Sequence, residues 1–178
     1  MSKEKIYIFD TTLRDGAQTE AVDFSVEDKH KIANVLSEIG VDYIEGGWPG
    51  ANPVDTEFFS KYLKLNKSIF TAFGMTKRTG RSAENDPSLA PLISAACPAV
   101  CVVGKAWDFH VKVALGISNE DNIENIKETG KHIVKNNKEF LFDAEHFFDG
   151  FKANPDYALD CLKTVSYTHL TLPTIRSV

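Results

Sequence analysis

The chain has 178 residues, of which 43% are hydrophobic and 25% charged, and its formal net charge is −5. These values are typical of a globular protein with a sizeable core. Its lysines and arginines are scattered rather than clustered, which argues against a nucleic-acid-binding surface. No segment has the length and apolar character of a membrane span, and the N-terminal residues lack the apolar core of a signal peptide. We therefore expect a cytoplasmic protein without nucleic-acid or membrane partners.

Strand-like and helix-like segments alternate along the chain. The first apolar run, residues 6–9, combines β-branched and aromatic residues and predicts a buried strand. Ser25, with Asp28 three residues later, predicts a helix N-terminus, and Gly40 predicts its end. The remaining predicted elements are strands at 43–44, 69–73, 99–103 and 140–142, and helices starting at 52–53, 118 and 154–155, with a shorter helix within 86–96. This alternation predicts an α/β fold of repeated βα units.

The cysteines are odd in number, and each lies in or near an apolar segment. Cys97, Cys101 and Cys161 therefore fit buried free thiols in a reducing compartment. We expect neither a disulfide nor a cysteine-based metal site.

Polar residues follow the end of every predicted strand. Because the carboxyl ends of parallel βα strands gather on one face, these residues predict a site there. Arg14 beside Asp15 pairs a fixed cation with a hard-oxygen metal ligand, which suits an anionic carbonyl substrate. The alternative is an ordinary turn in which the two are solvated or paired. The residues concerned are Asp10, Thr12, Arg14, Asp15, Gln18, Glu45, Lys77, Arg78, Lys105, Asp108, His110, Asp143, Glu145 and His146.

Five segments carry a resemblance to a known family: FDTTLRDGAQ, IEGGWPG, TAFGM, GKAWDFH and FDAEHFFDGF. They resemble the metal-dependent DRE-TIM barrels that include the 2-isopropylmalate, homocitrate and citramalate synthases. The pairing of EGGWPGANP with GKAWDFHVKVALG and DAEHFFDG is most similar to the citramalate synthase branch. The resemblance covers residues 4–164 and implies the N-terminal part of a (β/α)8 TIM barrel, about five βα units, incomplete. It also implies condensation of acetyl-CoA with pyruvate to (R)-citramalate for isoleucine biosynthesis.

The same resemblance assigns roles to individual residues. Asp15 matches the metal-binding aspartate, and Arg14 matches the arginine that holds the carbonyl and carboxylate groups of the substrate. Glu145 matches a glutamate on the acyl-donor side, which we expect to be catalytic. Gln18, Glu45 and His110 are expected to bind substrate, although Glu45 could instead satisfy a hydrogen bond at the barrel mouth and His110 could be an ordinary loop histidine. The expected cofactor is a divalent metal, magnesium or manganese, with zinc as the alternative if histidines complete the shell; acetyl-CoA is the co-substrate.

The sequence departs from the family in two places. The family completes its metal site with an HxH pair, and this chain contains none. We therefore predict that the 178-residue polypeptide is inactive alone. Separately, we expect the parent protein to be a homodimer. Residues 165–174 resemble the translation of a sequencing-library adapter, so residues 165–178 are expected to be a non-native tail and residues 1–164 the partial barrel.

The alternative functions are a 2-isopropylmalate or homocitrate synthase, an HMG-CoA-lyase-like lyase or carboxyltransferase, and a non-catalytic fragment.

Overall fold

The computed structural model describes residues 5–168. The chain forms two compact units. The first contains the residues up to Gly74 together with Ala90–Cys101, and the second contains Met75–Leu89 together with the residues from Val102 onward. Most of the expected non-native tail, from residue 169 onward, lies outside the described residues.

The elements follow one another in the alternating order that the sequence predicts. Strands β1 to β5 are Phe9–Asp10, Tyr43–Gly47, Ile69–Met75, Ala99–Lys105 and Glu139–Glu145. Helices α1 to α7 are Val26–Ile39, Pro53–Phe58, Ala90–Ser94, Asp108–His110, Asn119–Lys135, Phe147–Ala153 and Pro155–Thr168. Two 3₁₀ turns, Gly16–Gln18 and Ala83–Asn85, and a π-helical turn, Val111–Leu115, complete the described structure. The predictions for the last four strands and for the helices are confirmed.

The strands lie in the sheet in the order of the chain, β1-β2-β3-β4-β5. β1 and β2 are parallel with Phe9 opposite Tyr43, and β2 and β3 are parallel with Tyr43 opposite Ile69. The register of β2 against β3 shifts between Glu45 and Gly47, which is a β-bulge at the carboxyl end of β2. Such bulges redirect side chains and carbonyl groups at the ends of strands.

The prediction of a buried strand at residues 6–9 is wrong. Only Phe9 of this run belongs to β1, and Ile6 is 86% exposed. The run does pair with the chain before β2, since the carbonyl of Ile8 accepts hydrogen bonds from the N–H groups of Asp42 and Tyr43 at 3.1 and 3.0 Å. β1 is an edge strand among the described residues, so no described strand pairs with its other side, and its apolar run stays largely exposed.

Each unit has its own apolar interior. In the first unit, Phe58, Phe59 and Phe70 are buried, and the rings of Phe59 and Phe70 stack with centroids 4.5 Å apart. In the second, the buried cluster consists of Ala106, Val111, Ile126, Tyr157 and Cys161. All three cysteines are buried thiols, as predicted. No helix within residues 5–168 combines the length and the hydropathy that crossing a bilayer requires.

The predicted capping of α1 is confirmed. The Ser25 hydroxyl accepts a hydrogen bond from the Asp28 N–H at 3.1 Å, and the Asp28 carboxylate accepts one from the Ser25 N–H at 3.1 Å. Gly40 ends the helix with φ at 94°. These interactions satisfy backbone groups that the helix ends would otherwise leave without partners.

We expect Asp28→Asn to destabilise the chain at pH 7 and to matter less in acid. The Ser25 hydroxyl, and after it the Ser25 N–H, hold the pKa of Asp28 below its ordinary value. A carboxyl with a lowered folded-state pKa stabilises the fold above its unfolded-state pKa, and that contribution is lost as the pH falls through the folded-state pKa. Urea denaturation followed by circular dichroism from pH 7 into the acid range measures this difference. The matched control is Asp23→Asn, because Asp23 is exposed just before the helix; equal effects of the two variants at every pH would contradict the prediction.

Candidate functional site

The loop after β1 is wound tightly around one carbonyl group. The N–H groups of Arg14, Asp15 and Gly16 all donate to the carbonyl of Thr11, at 3.1, 2.8 and 3.2 Å. Asp10 holds the start of the loop, because its carboxylate accepts from the Thr12 N–H at 3.0 Å and from the Thr12 hydroxyl at 3.1 Å. The main chain that carries Arg14 is therefore fixed by local hydrogen bonds.

The Arg14 side chain is held on two sides. Its Nε donates to Glu45 Oε2 at 2.7 Å, and its guanidinium carbon lies 4.0 Å from the centre of the Phe73 ring. Glu45 is almost fully buried, with 1% of its side chain exposed, whereas 18% of the Arg14 side chain is exposed. The buried carboxylate and the aromatic face thus fix the plane of the guanidinium.

The outer end of the guanidinium is less constrained. Arg14 Nη1 donates to Asp15 Oδ1 at 3.3 Å, and the Asp15 side chain is 62% exposed. This arrangement leaves a planar, partly exposed cation next to a solvated carboxylate. It can bind the carboxylate or keto oxygen of a small anion.

A second ion pair, which the sequence analysis missed, lies behind this loop. Lys29 in α1 is 3% exposed, and its ammonium donates to the carbonyls of Leu13 and Gly46 at 2.9 and 2.8 Å and to the carboxylate of Asp55. Asp55 in turn accepts from the Trp48 N–H at 2.8 Å. A lysine in a helix is normally solvated, so its residue type does not predict a buried ion pair. The N-cap at Asn52 was predicted, but not the buried role of Asp55.

Gly47 explains why the carboxylate of Asp55 fits at this point. Its φ is 147°, which strains any residue with a side chain, and a Cβ at this position would overlap the Asp55 carboxylate. Gly46 and Gly47 of IEGGWPG therefore serve the packing of this cluster, since a Cβ at Gly46 would overlap the Phe70 ring and Gly47 leaves room for Asp55.

The second unit contains the carboxyl ends of β4 and β5. Lys105 and Glu145 form an ion pair there, in which the Lys105 side chain is 16% exposed. The carbonyl of Lys105 accepts from Asn122 Nδ2 at 2.9 Å and from the Tyr157 hydroxyl at 3.2 Å. The main chain that carries Lys105 is thus held from both α5 and α7. The pairing of Lys105 with Glu145 was not predicted.

Three rings form a cluster just beyond these strand ends. The His110 ring lies 4.7 Å from the Trp107 ring and 4.6 Å from the His146 ring, measured between centroids. His146 has φ at 54°, an uncommon conformation for a residue other than glycine, and its Nδ1 lies 3.3 Å from Asp149 Oδ2. His110 is followed directly by the π-helical turn. Irregular backbone of this kind concentrates at functional sites.

Two buried groups beneath Lys105 are unsuited to proton transfer at neutral pH. Burial raises the pKa of the Cys161 thiol to about 11. Burial also raises the pKa of the Tyr157 hydroxyl well above its ordinary value. Both groups therefore stay protonated and act as hydrogen-bond donors to the carbonyl of Lys105.

The predicted site residues are distributed over both units. Arg14, Asp15 and Glu45 contact one another in the first unit. Gln18 is exposed at the end of a 3₁₀ turn in the same unit. In the second unit, Glu145 pairs with Lys105 and His110 packs against Trp107 and His146.

The donor set available here does not form a metal site. Within residues 5–168, no group of three His, Cys, Asp or Glu side chains is arranged to hold a metal ion. Asp15 offers an exposed carboxylate, but the nearby Glu45 is engaged by Arg14. One carboxylate is too few to hold a divalent cation against water.

A sheet of βα units whose strands follow the order of the chain, with an arginine–carboxylate pair after its first strand, is typical of the βα-barrel class of proteins. The chain matches the HMGL-like family over residues 5–172 and belongs to that family.

Several curated relatives are similar to nearly the whole chain. The (R)-citramalate synthase of Geobacter sulfurreducens is 52% identical over 166 residues, and that of Aquifex aeolicus is 51% identical over 162 residues. These matches cover 92% and 90% of this chain, and 31% of each relative. The 2-isopropylmalate synthase of Sulfurisphaera tokodaii is 30% identical over 164 residues, which cover 92% of this chain and 40% of that enzyme. The chain thus spans about a third of the length of the curated relatives that it matches.

A solved structure agrees with the fold. The hydroxymethylglutaryl-CoA lyase of Pseudomonas aeruginosa superposes with a TM-score of 0.69 at 18% sequence identity, and the match covers 92% of this chain and 55% of the lyase. At this identity the likeness concerns the fold alone. It confirms the predicted fold class, an incomplete N-terminal part of a (β/α)8 barrel.

Proposed function

We propose that the full-length protein containing this chain condenses acetyl-CoA with pyruvate to form (R)-citramalate, a step of isoleucine biosynthesis. The observation that carries the proposal is the far higher identity to (R)-citramalate synthases than to 2-isopropylmalate synthases. Both groups match the same part of the chain, so the difference does not come from coverage. The geometry around Arg14 supports the proposal independently, since it suits a small keto acid.

Arg14 is proposed to bind pyruvate. Its guanidinium is partly exposed, and the N–H groups that Glu45 does not engage can donate to the carboxylate and keto oxygens of the substrate. The positive charge then draws electron density from the keto carbon and stabilises the alkoxide that forms when this carbon is attacked. Glu45 would act indirectly, because its buried carboxylate holds Nε and sets the direction of the guanidinium. Gln18, exposed on the same loop, is proposed as a further substrate contact.

Glu145 is proposed to act on the acetyl-CoA side. The reaction requires removal of a proton from the acetyl methyl group, attack of the resulting enolate on the keto carbon of pyruvate, and hydrolysis of the thioester to release CoA. The Lys105 ammonium fixes the Glu145 carboxylate at the end of β5. His110, whose ring packs against those of Trp107 and His146, is proposed to contact substrate in the same unit.

The proposed cofactor is a divalent metal, magnesium or manganese, with zinc as the alternative. Asp15 is the residue of this chain that would contribute a ligand, and the other ligands would come from the rest of the full-length protein. When bound, the metal would polarise the keto group of the substrate. We further propose that residues 165–178 are not native and that the full-length protein is a cytoplasmic homodimer.

The test is an assay of the full-length protein with acetyl-CoA and a series of 2-oxo acids. Free CoA is measured with a thiol reagent, and the product is identified by chiral chromatography. We expect (R)-citramalate from pyruvate and no turnover by the 178-residue chain alone. Preference for 3-methyl-2-oxobutanoate would instead assign a 2-isopropylmalate synthase. Cleavage of hydroxymethylglutaryl-CoA without condensation would assign a lyase, and citramalate formation by the 178-residue chain would contradict the expected inactivity.

A further inference from the structure

Lys29 is a buried cation to which the proposed chemistry gives no role. It lies on the inner face of α1, together with Ala33 and Ser37, whereas Val35 and Ile39 of the same helix are exposed. A lysine is rarely buried unless its charge and its donors are satisfied. Three oxygens meet this requirement, from Leu13, Gly46 and Asp55. An ammonium group has three N–H bonds, so each of them can meet one of these acceptors.

The positions of these acceptors in the chain are informative. Leu13 directly precedes Arg14, and Gly46 directly follows Glu45. Lys29 therefore binds the main chain next to both members of the Arg14–Glu45 pair. Asp55 compensates the charge and is itself held by the N–H of Trp48. The ammonium thus links the loop after β1 to the bulged end of β2.

This link bears on the Arg14–Glu45 contact. The pairing of β1 with β2 ends at Asp10 opposite Ile44, and local hydrogen bonds to Thr11 shape the loop that follows. Beyond the paired strands, the Lys29 ammonium is a buried polar connection between the two main-chain segments. Without it, the Nε–Oε2 contact of 2.7 Å would rest on the two side chains and on the packing of the guanidinium against Phe73.

We propose that Lys29 is a positioning residue: its ammonium group fixes the loop after β1 to the end of β2, and so holds Arg14 in its contact with Glu45. The effect of Lys29 on turnover rests on the proposed function of Arg14. Its effect on the geometry of Arg14 is independent of that function. Lys29 touches no substrate in this proposal and acts only through the main chain.

The experiment follows hydrogen exchange of the Arg14 Nε–H by NMR in the ¹⁵N-labelled 178-residue chain, without substrate. The variants are Lys29→Met and Lys29→Arg, and the matched control is Lys31→Met, because Lys31 is an exposed residue of the same helix that pairs with Glu27. The amide of Val100, buried in β4, serves as the reference for general loosening. We expect both Lys29 variants to speed exchange at Arg14 by about tenfold or more. Exchange at Val100 is expected to stay unchanged, and Lys31→Met is expected to have no effect.

If Lys29→Met does not fold, the test uses Lys29→Arg, because arginine keeps the buried positive charge. A guanidinium cannot direct three donors from one nitrogen atom at the same three oxygens. Unchanged exchange at Arg14 in a folded Lys29→Arg variant would overturn the proposal, as would an equal acceleration at Val100.

In the full-length protein, Lys29→Arg is expected to raise KM for pyruvate and to leave KM for acetyl-CoA unchanged. Since the exchange measurement uses no substrate, a failure of the proposed function would leave its result intact.

Discussion

Replacing Arg14 by lysine in the full-length protein is expected to lower kcat/KM for pyruvate by about 100- to 1,000-fold. Lysine keeps the positive charge but has no equivalent of Nε, so the 2.7 Å hydrogen bond from Arg14 to the buried carboxylate of Glu45 is lost. An ammonium also cannot present two parallel donors to a planar carboxylate. Steady-state kinetics with pyruvate as the varied substrate measure the loss.

The control for this substitution is Arg81→Lys, because the side chain of Arg81 is exposed. It is expected to leave kcat/KM unchanged. Thermal melts of both variants separate a loss of substrate binding from a loss of folded protein. A folded Arg14→Lys variant with unchanged kcat/KM would contradict the role of the guanidinium.

Asp55→Ala is expected to lower the free energy of unfolding by about 3–5 kcal/mol. The substitution leaves the Lys29 ammonium buried with only the carbonyls of Leu13 and Gly46 as acceptors. It also removes the acceptor of the Trp48 N–H. Urea denaturation of the 178-residue chain, followed by circular dichroism, measures the change.

Two further variants show whether the buried charge is responsible. Glu57→Ala changes an exposed carboxylate of the same helix and is expected to have little effect. The double variant Lys29→Met with Asp55→Ala leaves no unpaired charge, and its cost is expected to be smaller than the sum of the two single costs. A cost for Asp55→Ala no greater than that for Glu57→Ala would contradict the prediction.

The elements that could be predicted from the sequence are those determined by residues close together in the chain. The cap at Ser25, the stop at Gly40 and the Asn-Pro starts of α2 and α7 depend on residues within one helical turn, and each is found as expected. The buried cysteines could be predicted because their segments are apolar throughout. By contrast, residues 6–9 have the composition of a buried strand, but what covers a strand is decided by distant parts of the chain.

The site was predicted in its residue types but not in its connections. Arg14, Asp15 and Glu45 stand out because charged residues directly follow or end short apolar strands. Lys29 does not stand out, since two of its partners are main-chain carbonyls, which no side-chain pattern reveals. The pairing of Lys105 with Glu145 joins residues 40 positions apart, and its detection needs the register of β4 against β5.

The two tryptophans of the chain fall one in each unit. Trp48 packs edge-on against the Phe73 ring, and the Arg14 guanidinium contacts the same ring. Trp107 packs against His110. Substituting either tryptophan by phenylalanine leaves a single tryptophan, which can be excited selectively at wavelengths that tyrosine does not absorb. Emission from Trp48 then reports the surroundings of Arg14, and emission from Trp107 reports those of His110. A fluorescence titration with a ligand can therefore follow each unit separately.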